Sequence, residues 1–144
     1  MGLLAGIHAG ATCFMAGLIW FVQVVHYPLL ARVTGDGYGV YHAHHTRLTT
    51  RLVVPVMAVE GASAALLLAL RPAQIPLEWL LAGIALAAAN WLSTALVQVP
   101  AHGLLCRSFD PAIHRRLVHS NWLRTISWSI RSALSLGIVF RMAG

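Results

Sequence analysis

Long apolar runs fill four stretches of this chain, and the polar residues gather at their ends. The first run, about 3–26, carries no formal charge and is studded with Gly6, Gly10 and Gly17, small residues that let helices approach closely. It is expected to end at His26-Tyr27-Pro28. The second, about 38–70, opens with three polar turns (YHAHHTRLTTR), then becomes apolar except for Glu60, with Pro55 an expected kink. The third, about 77–105, has no charge after Glu78 and carries Pro100 near its end. The fourth, about 111–141, follows Asp110-Pro111, an N-cap and first helical position. A membrane-crossing helix needs about 20 apolar residues, and each run exceeds that. Residues 34–39, TGDGYG, read as a turn, and the Arg71-Pro72…Pro76 stretch as a break. Four helices with short connections predict an all-α, integral membrane, antiparallel four-helix bundle occupying residues 1–144 as a single domain.

Composition agrees. Only 10% of the 144 residues are charged and 58% are hydrophobic, with a mean hydropathy of +0.73. Soluble domains carry about 25% charged residues, so an ordinary cytosolic enzyme, a disordered chain and a coiled coil are excluded. The net charge is +6, from ten Arg and four acids without any Lys. A pI near 10.7 raises nucleic acid as a partner. The Arg residues are instead divided among short loops and helix ends, which points to membrane topology. Arg32, Arg47, Arg51, Arg107, Arg115 and Arg116 fall on one side of the predicted bundle, and Arg71 and Arg141 on the other. The positive-inside rule then places both Arg-rich loops in the cytoplasm and the termini outside. The first run lacks a basic n-region and a convincing cleavage site, so it reads as a retained span. Cys13 and Cys106 form no C-x-x-C and predict no structural disulfide.

That topology reveals a second pattern. His26, His42, His44, His45, His102, His114 and His119 all fall at one end of the bundle, and only His8 at the other. His42 and His45 are three apart on one helical face, which Thr49, Val56 and Glu60 continue inward. Gln98 and His102 are four apart on the third helix, and Gln23 and His26 three apart on the first. Three helices therefore present imidazoles toward one region, and neutral imidazole is the commonest metal-ligating side chain. His26, His42, His45 and His102 form the expected ligand set, suited to copper, zinc, iron or nickel and not to magnesium or calcium. His44 turns about 160° away from His42, and His119 also lies off the inward face. The plain alternative is a ring of polar residues at headgroup depth.

A third pattern lies on the fourth helix. Asn121, Arg124, Trp128 and Arg131 recur at i, i+3, i+7 and i+10, one face of a helix. At 1.5 Å per residue, Arg131 lies about 15 Å deeper than Asn121, and Glu60 about 13 Å beyond Arg51. Glu60 and Arg131 are expected to meet inside the bundle, joined by Asn90. They form either a register-fixing ion pair or the floor of a polar cavity beneath the histidines. Trp79 and Trp122 read as interfacial belt residues, Trp91 and Trp128 as deeper packing, and Met15 and Met57 as gap fillers. No phosphate-binding glycine loop, Ser-His-Asp arrangement, zinc-finger spacing or C-x-x-C-H is present.

Two stretches carry a family likeness. Val99-Pro100-Ala101-His102…Phe109-Asp110 and Asn121-Trp122-Leu123-Arg124-Thr125, with the Tyr27-Pro28-Leu29 step, resemble the small four-span bacterial proteins of the anthrone-oxygenase-like (DUF1772) group. The resemblance implies a four-span fold and oxygen-dependent oxidation of an aromatic or phenolic substrate. The chain departs from that group at His102, where the group more often has Asn, and in its Tyr41-His42-Ala43-His44-His45 run. Both departures add imidazoles and so strengthen the metal reading.

The first functional expectation is a metal-dependent membrane oxidoreductase. His26, His42, His45 and His102 would hold copper or iron, and Arg124, Asn121 and Gln98 would support the ligands or the substrate. That substrate is expected to be a small lipophilic molecule entering from the lipid bilayer. A b-type haem electron-transfer protein using two of these His is the second. A small transporter or proton-linked carrier working through Glu60, Arg131 and Asn90, in a homodimer, is the third. A structural or assembly subunit is the fourth.

Overall fold

The computed structural model describes residues 1–33, 35 and 37–144. Within the predicted 34–39 turn, positions 34 and 36 lie outside the described residues. Among the described residues there is no strand. Four long helices follow one another: α1 (Gly2–Leu30), α2 (Tyr38–Leu70), α3 (Leu77–Leu105) and α4 (Pro111–Ala143). The first three are long and apolar enough to cross a membrane. α4 falls short on composition because its polar residues are many. Asn121, Arg124, Thr125, Trp128, Arg131 and Ser135 all lie on its buried face.

The helix boundaries have local causes. The Asp110 carboxylate accepts from the amides of Ala112 at 2.7 Å and Ile113 at 3.0 Å, satisfying two of the four amides a helix leaves free at its start. Pro111 fills the first helical position, where no amide donor is needed. α2 stops at Arg71, which takes a left-handed conformation at φ 44°, and Pro72 cannot resume the helix. It runs as a single helix through Pro55.

α1 does not end at His26-Tyr27-Pro28, as the sequence suggested, but continues to Leu30 through a π turn at Val22–His26. α3 contains a matching π turn at Thr94–Gln98. Each turn closes two residues before a proline, Pro28 and Pro100. A proline ring inside a helix collides with the carbonyl four residues earlier. A wider turn there lets the helix pass the proline without breaking. The extra residue also rotates everything beyond it by about 100° relative to an unbroken α-helix. His26, Gln98 and His102 lie at or just beyond these turns.

α1 packs on α4 and α2, and α3 packs on α4 and α2. Three apolar clusters stack along the molecule. Ala5, Leu67, Leu80 and Ile138 lie at one end, Met15, Ile19, Met57 and Trp128 in the middle, and Tyr27, Leu30, Tyr38, Leu105 and Leu117 at the histidine-rich end. Outward positions are apolar, with Leu3 79%, Leu96 69% and Phe140 75% exposed, while Glu60, Arg131, Asn90 and Asn121 are buried. Apolar side chains outside and charged ones inside is the reverse of a soluble fold and suits a lipid solvent.

Candidate functional site

His26, from the π turn of α1, His42 and His45, from the second turn of α2, and His102, near the end of α3, come together. His42 Nε2 lies 3.0 Å from His102 Nδ1, so one of these nitrogens carries the shared proton. The His26 and His45 rings stack with centroids 3.9 Å apart, and the His42 and His45 centroids are 6.3 Å apart. His42 is fully buried, and His26, His45 and His102 are half-buried. Among the described residues, no three His, Cys, Asp or Glu side chains aim their donor atoms at one point. The rings stand as two pairs. An imidazole centroid sits about 3.2 Å from an ion that its nitrogen binds, so rings sharing one ion have centroids within about 6.4 Å. The separations of 3.9, 5.1 and 6.3 Å, for His26–His45, His42–His102 and His42–His45, each fall inside that reach. The buried Nε2 of His26 has no hydrogen-bond partner and is free to serve as a donor atom.

Groups around the rings hold them. Tyr38 Oη is 3.4 Å from His42 Nδ1, and the two rings stack. Thr49 Oγ1 lies 3.2 Å from His45 Nε2. His114 is turned away from the cluster: its Nε2 reaches the carbonyl of Tyr27 at 3.1 Å and fixes the end of α1. His44 and His119 are exposed. His8, at the far end, contacts Ser63 Oγ at 3.0 Å. Sequence reasoning missed Tyr38 and Tyr27, which pack directly on His42, His26 and His102. Tyr38 was legible in principle, since it lies four residues before His42 on the same helical face.

A cavity of 300 Å³ opens beside the cluster, at the lower end of the range for small-molecule pockets. His45 and His102 form part of its wall, with Gln98 and Arg124. Most of the remainder is apolar, including Met15, Val53, Met57 and Trp91, with Thr46, Thr49, Thr50 and Thr94 among it. A recess of 460 Å³ between the two loops at the same end, lined by Tyr38, Arg107 and Phe109, contains no imidazole.

The predicted support residues divide. Gln23 does not share a face with His26. It turns to α4, where its Oε1 accepts from Asn121 Nδ2 at 2.8 Å and its Nε2 donates to the carbonyl of Val118 at 3.3 Å. Asn121 Oδ1 in turn accepts from Arg124 Nη1 at 3.0 Å. This chain positions Arg124, whose guanidinium lies 5.0 Å over the Trp128 ring. Asn121 touches none of the four imidazoles by hydrogen bond. Gln98 Nε2 donates to Ser120 Oγ at 3.0 Å, not to His102, and its buried Oε1 has no partner.

Glu60 and Arg131 meet as expected, at 3.0 Å between Oε1 and both Nε and Nη2, the latter an ion-pair contact without hydrogen-bond alignment. Trp128 Nε1 donates to both Glu60 oxygens at 3.0 and 3.2 Å, and Arg131 Nη1 donates to the carbonyl of Gly83. Two expectations fail here. Asn90 is buried nearby, but its amide oxygen and nitrogen have no hydrogen-bond partner. Glu60 and Arg131 also do not floor the cavity, because Met57 and Trp128 pack above them and neither charge reaches its wall. Trp91, read as deeply packed, is 41% exposed and stands at the cavity's edge.

No family model, curated protein or solved structure matches this chain.

Proposed function

We propose that this chain is a bacterial inner-membrane oxidoreductase, an antiparallel four-span bundle whose His26, His42, His45 and His102 hold a copper or iron ion at the cytoplasmic end. The observation that carries the reading is the meeting of four imidazoles from three helices, with no carboxylate among them in the described residues, beside a mostly apolar cavity. Imidazole-only ligand sets select transition metals. The resemblance of the Val99–His102 and Asn121–Thr125 stretches to the anthrone-oxygenase-like group points the same way. The Arg distribution supports the orientation, with the histidine end facing the cytoplasm.

When bound, the metal supplies the redox chemistry that no side chain here offers. The chain's own residues position and isolate it. Tyr38 and Thr49 orient His42 and His45, as a hydrogen-bonded partner commonly does for a ligating imidazole. Leu30, Leu105 and Leu117 pack beneath the loops and exclude water. Direct contact within each ring pair leaves no slot for a macrocycle between them, which favours a small ion over a b-type haem. The engagement of both Glu60 oxygens favours a structural role for that pair over a carrier's path.

The test is metal analysis of protein purified in mild detergent without chelators, beside the His42→Ala and His102→Ala variants. Stoichiometric copper or iron that is lost in both variants supports the reading. Metal content unchanged by either substitution overturns it.

A further inference from the structure

Among the described residues, Arg124 is a cation without an anion. It is 6% exposed and lies about 20 Å along α4 from Pro111, far from either loop. Among the described residues the one salt bridge joins Arg131 to Glu60. Glu78 lies in the first turn of α3, and Asp110 caps α4. The hydrogen bonds of Arg124 reach only the neutral Asn121, and its Nε is buried without a partner. A guanidinium held in a low-dielectric interior is costly unless it is paired. The Gln23–Asn121 chain and the Trp128 ring nevertheless fix it against the cavity wall.

The cavity indicates what the partner is. Across from Arg124 the wall is mostly apolar, with Thr50 and Thr94 among its valines and Met57, and runs outward between α2 and α3, where Val54, Trp91 and Val99 are exposed on the lipid-facing surface. A ligand that satisfies both ends has an anionic head at Arg124 and an apolar chain leaving sideways. The volume of 300 Å³ accommodates one chain and a compact head. A planar carboxylate matches the guanidinium fork. The buried Oε1 of Gln98, on the same wall, requires a donor and is suited to a hydroxyl near that head. We propose that Arg124 anchors the carboxylate of a single-chain amphiphile that enters from the bilayer between α2 and α3. As a substrate assignment this rests on the oxidoreductase reading, because the same wall presents His45 and His102. As a binding site it stands without the metal.

The test uses the full chain in phosphatidylcholine nanodiscs with 9,10-dibromostearate, whose bromines quench the fluorescence of nearby tryptophans such as Trp91. The expected result is saturable quenching that oleate displaces and oleyl alcohol does not, and that the methyl ester of the probe does not produce. Arg124→Gln is expected to weaken binding about tenfold or more, the scale of one buried charge-assisted contact, with Arg124→Lys in between. Val53→Phe, which fills the cavity and leaves Arg124 in place, is expected to abolish saturable binding, and it decides the matter if Arg124→Gln does not fold. Quenching that is non-saturable, equal for acid and ester, or unchanged in these variants overturns the proposal. Equal, Arg124-dependent quenching by brominated phosphatidylglycerol also overturns it and assigns the site to a lipid phosphate. Running the same titration on His42→Ala separates the two readings, since carboxylate binding is expected to survive when metal is lost.

Discussion

Replacing Glu60 with Gln tests the physics of the bundle interior. Glu60 and Arg131 are 1% exposed, with Nε and Nη2 of Arg131 at 3.0 Å from one carboxylate oxygen. Trp128 and the Gly83 carbonyl complete the shell. Glutamine keeps the size and one acceptor oxygen but removes the charge, leaving a buried guanidinium unpaired. Breaking one partner of a buried pair costs about 3–5 kcal/mol. For a chain of this size that is a fall of about 10 °C or more in the unfolding midpoint. Glu60→Leu alone and Arg131→Met alone are each expected to cost a similar amount, since each leaves the partner charge unpaired. The double variant Glu60→Leu with Arg131→Met removes both charges, and replacing a whole buried pair by apolar groups is often neutral or stabilising. The double variant should therefore be more stable than either single one, with a coupling energy of about 2–3 kcal/mol or more. The assay is reversible unfolding in mixed detergent micelles, followed by helical circular dichroism across the four-member cycle. A Glu60→Gln protein within about 1 kcal/mol of the original, or a cycle with no coupling, would refute the claim that this pair is dry and mutually dependent.

Three other sites yield direct predictions. Gly39→Ala is expected to destabilise the protein by about 1–3 kcal/mol, because the added Cβ would meet the backbone oxygen of Cys106 at 2.8 Å, an atom that cannot swing aside; thermal unfolding measures it. Gly137→Ala places a Cβ 2.6 Å from the Trp79 ring, which also sits under Arg141 at 4.9 Å, so the ring is expected to move and the Trp79 emission to shift. Asn121→Ala strips the partner from both Gln23 Oε1 and Arg124 Nη1. Its expected cost is about 1–3 kcal/mol for each group left unsatisfied, read as a lower unfolding midpoint with metal content retained.

Much of this architecture was legible from spacing alone. Helix spacing placed Asn121, Arg124, Trp128 and Arg131 on one face, and the cost of burying charge demanded a partner for Arg131, which Glu60 supplies. Asp110-Pro111 gave the start of α4 because capping is a local rule. The grouping of seven histidines at one end followed from counting helix directions. The rotation of each helix was not legible, because it depends on packing and on the two π turns. The α1 turn moved Gln23 off the face of His26, while Gln98 and His102 stay on one cavity wall with the Gln98 amide bonded to Ser120. The signal was present as prolines inside otherwise continuous apolar runs, read as a helix end at Pro28 although the helix continued. The isolation of Asn90 had no sequence signal, since two residues at similar depth need not face each other. The cavity arises from four surfaces that meet only in the folded chain.

The central claim is that four imidazoles form a transition-metal site. The most direct measurement is elemental analysis combined with an absorption spectrum of the purified membrane protein, repeated on His26→Ala, His42→Ala, His45→Ala and His102→Ala. The account predicts about one copper or iron per site, no Soret band, and loss of metal in each variant while helical content is preserved. Protein that holds no metal under chelator-free purification, or that keeps it in all four variants, would contradict the account.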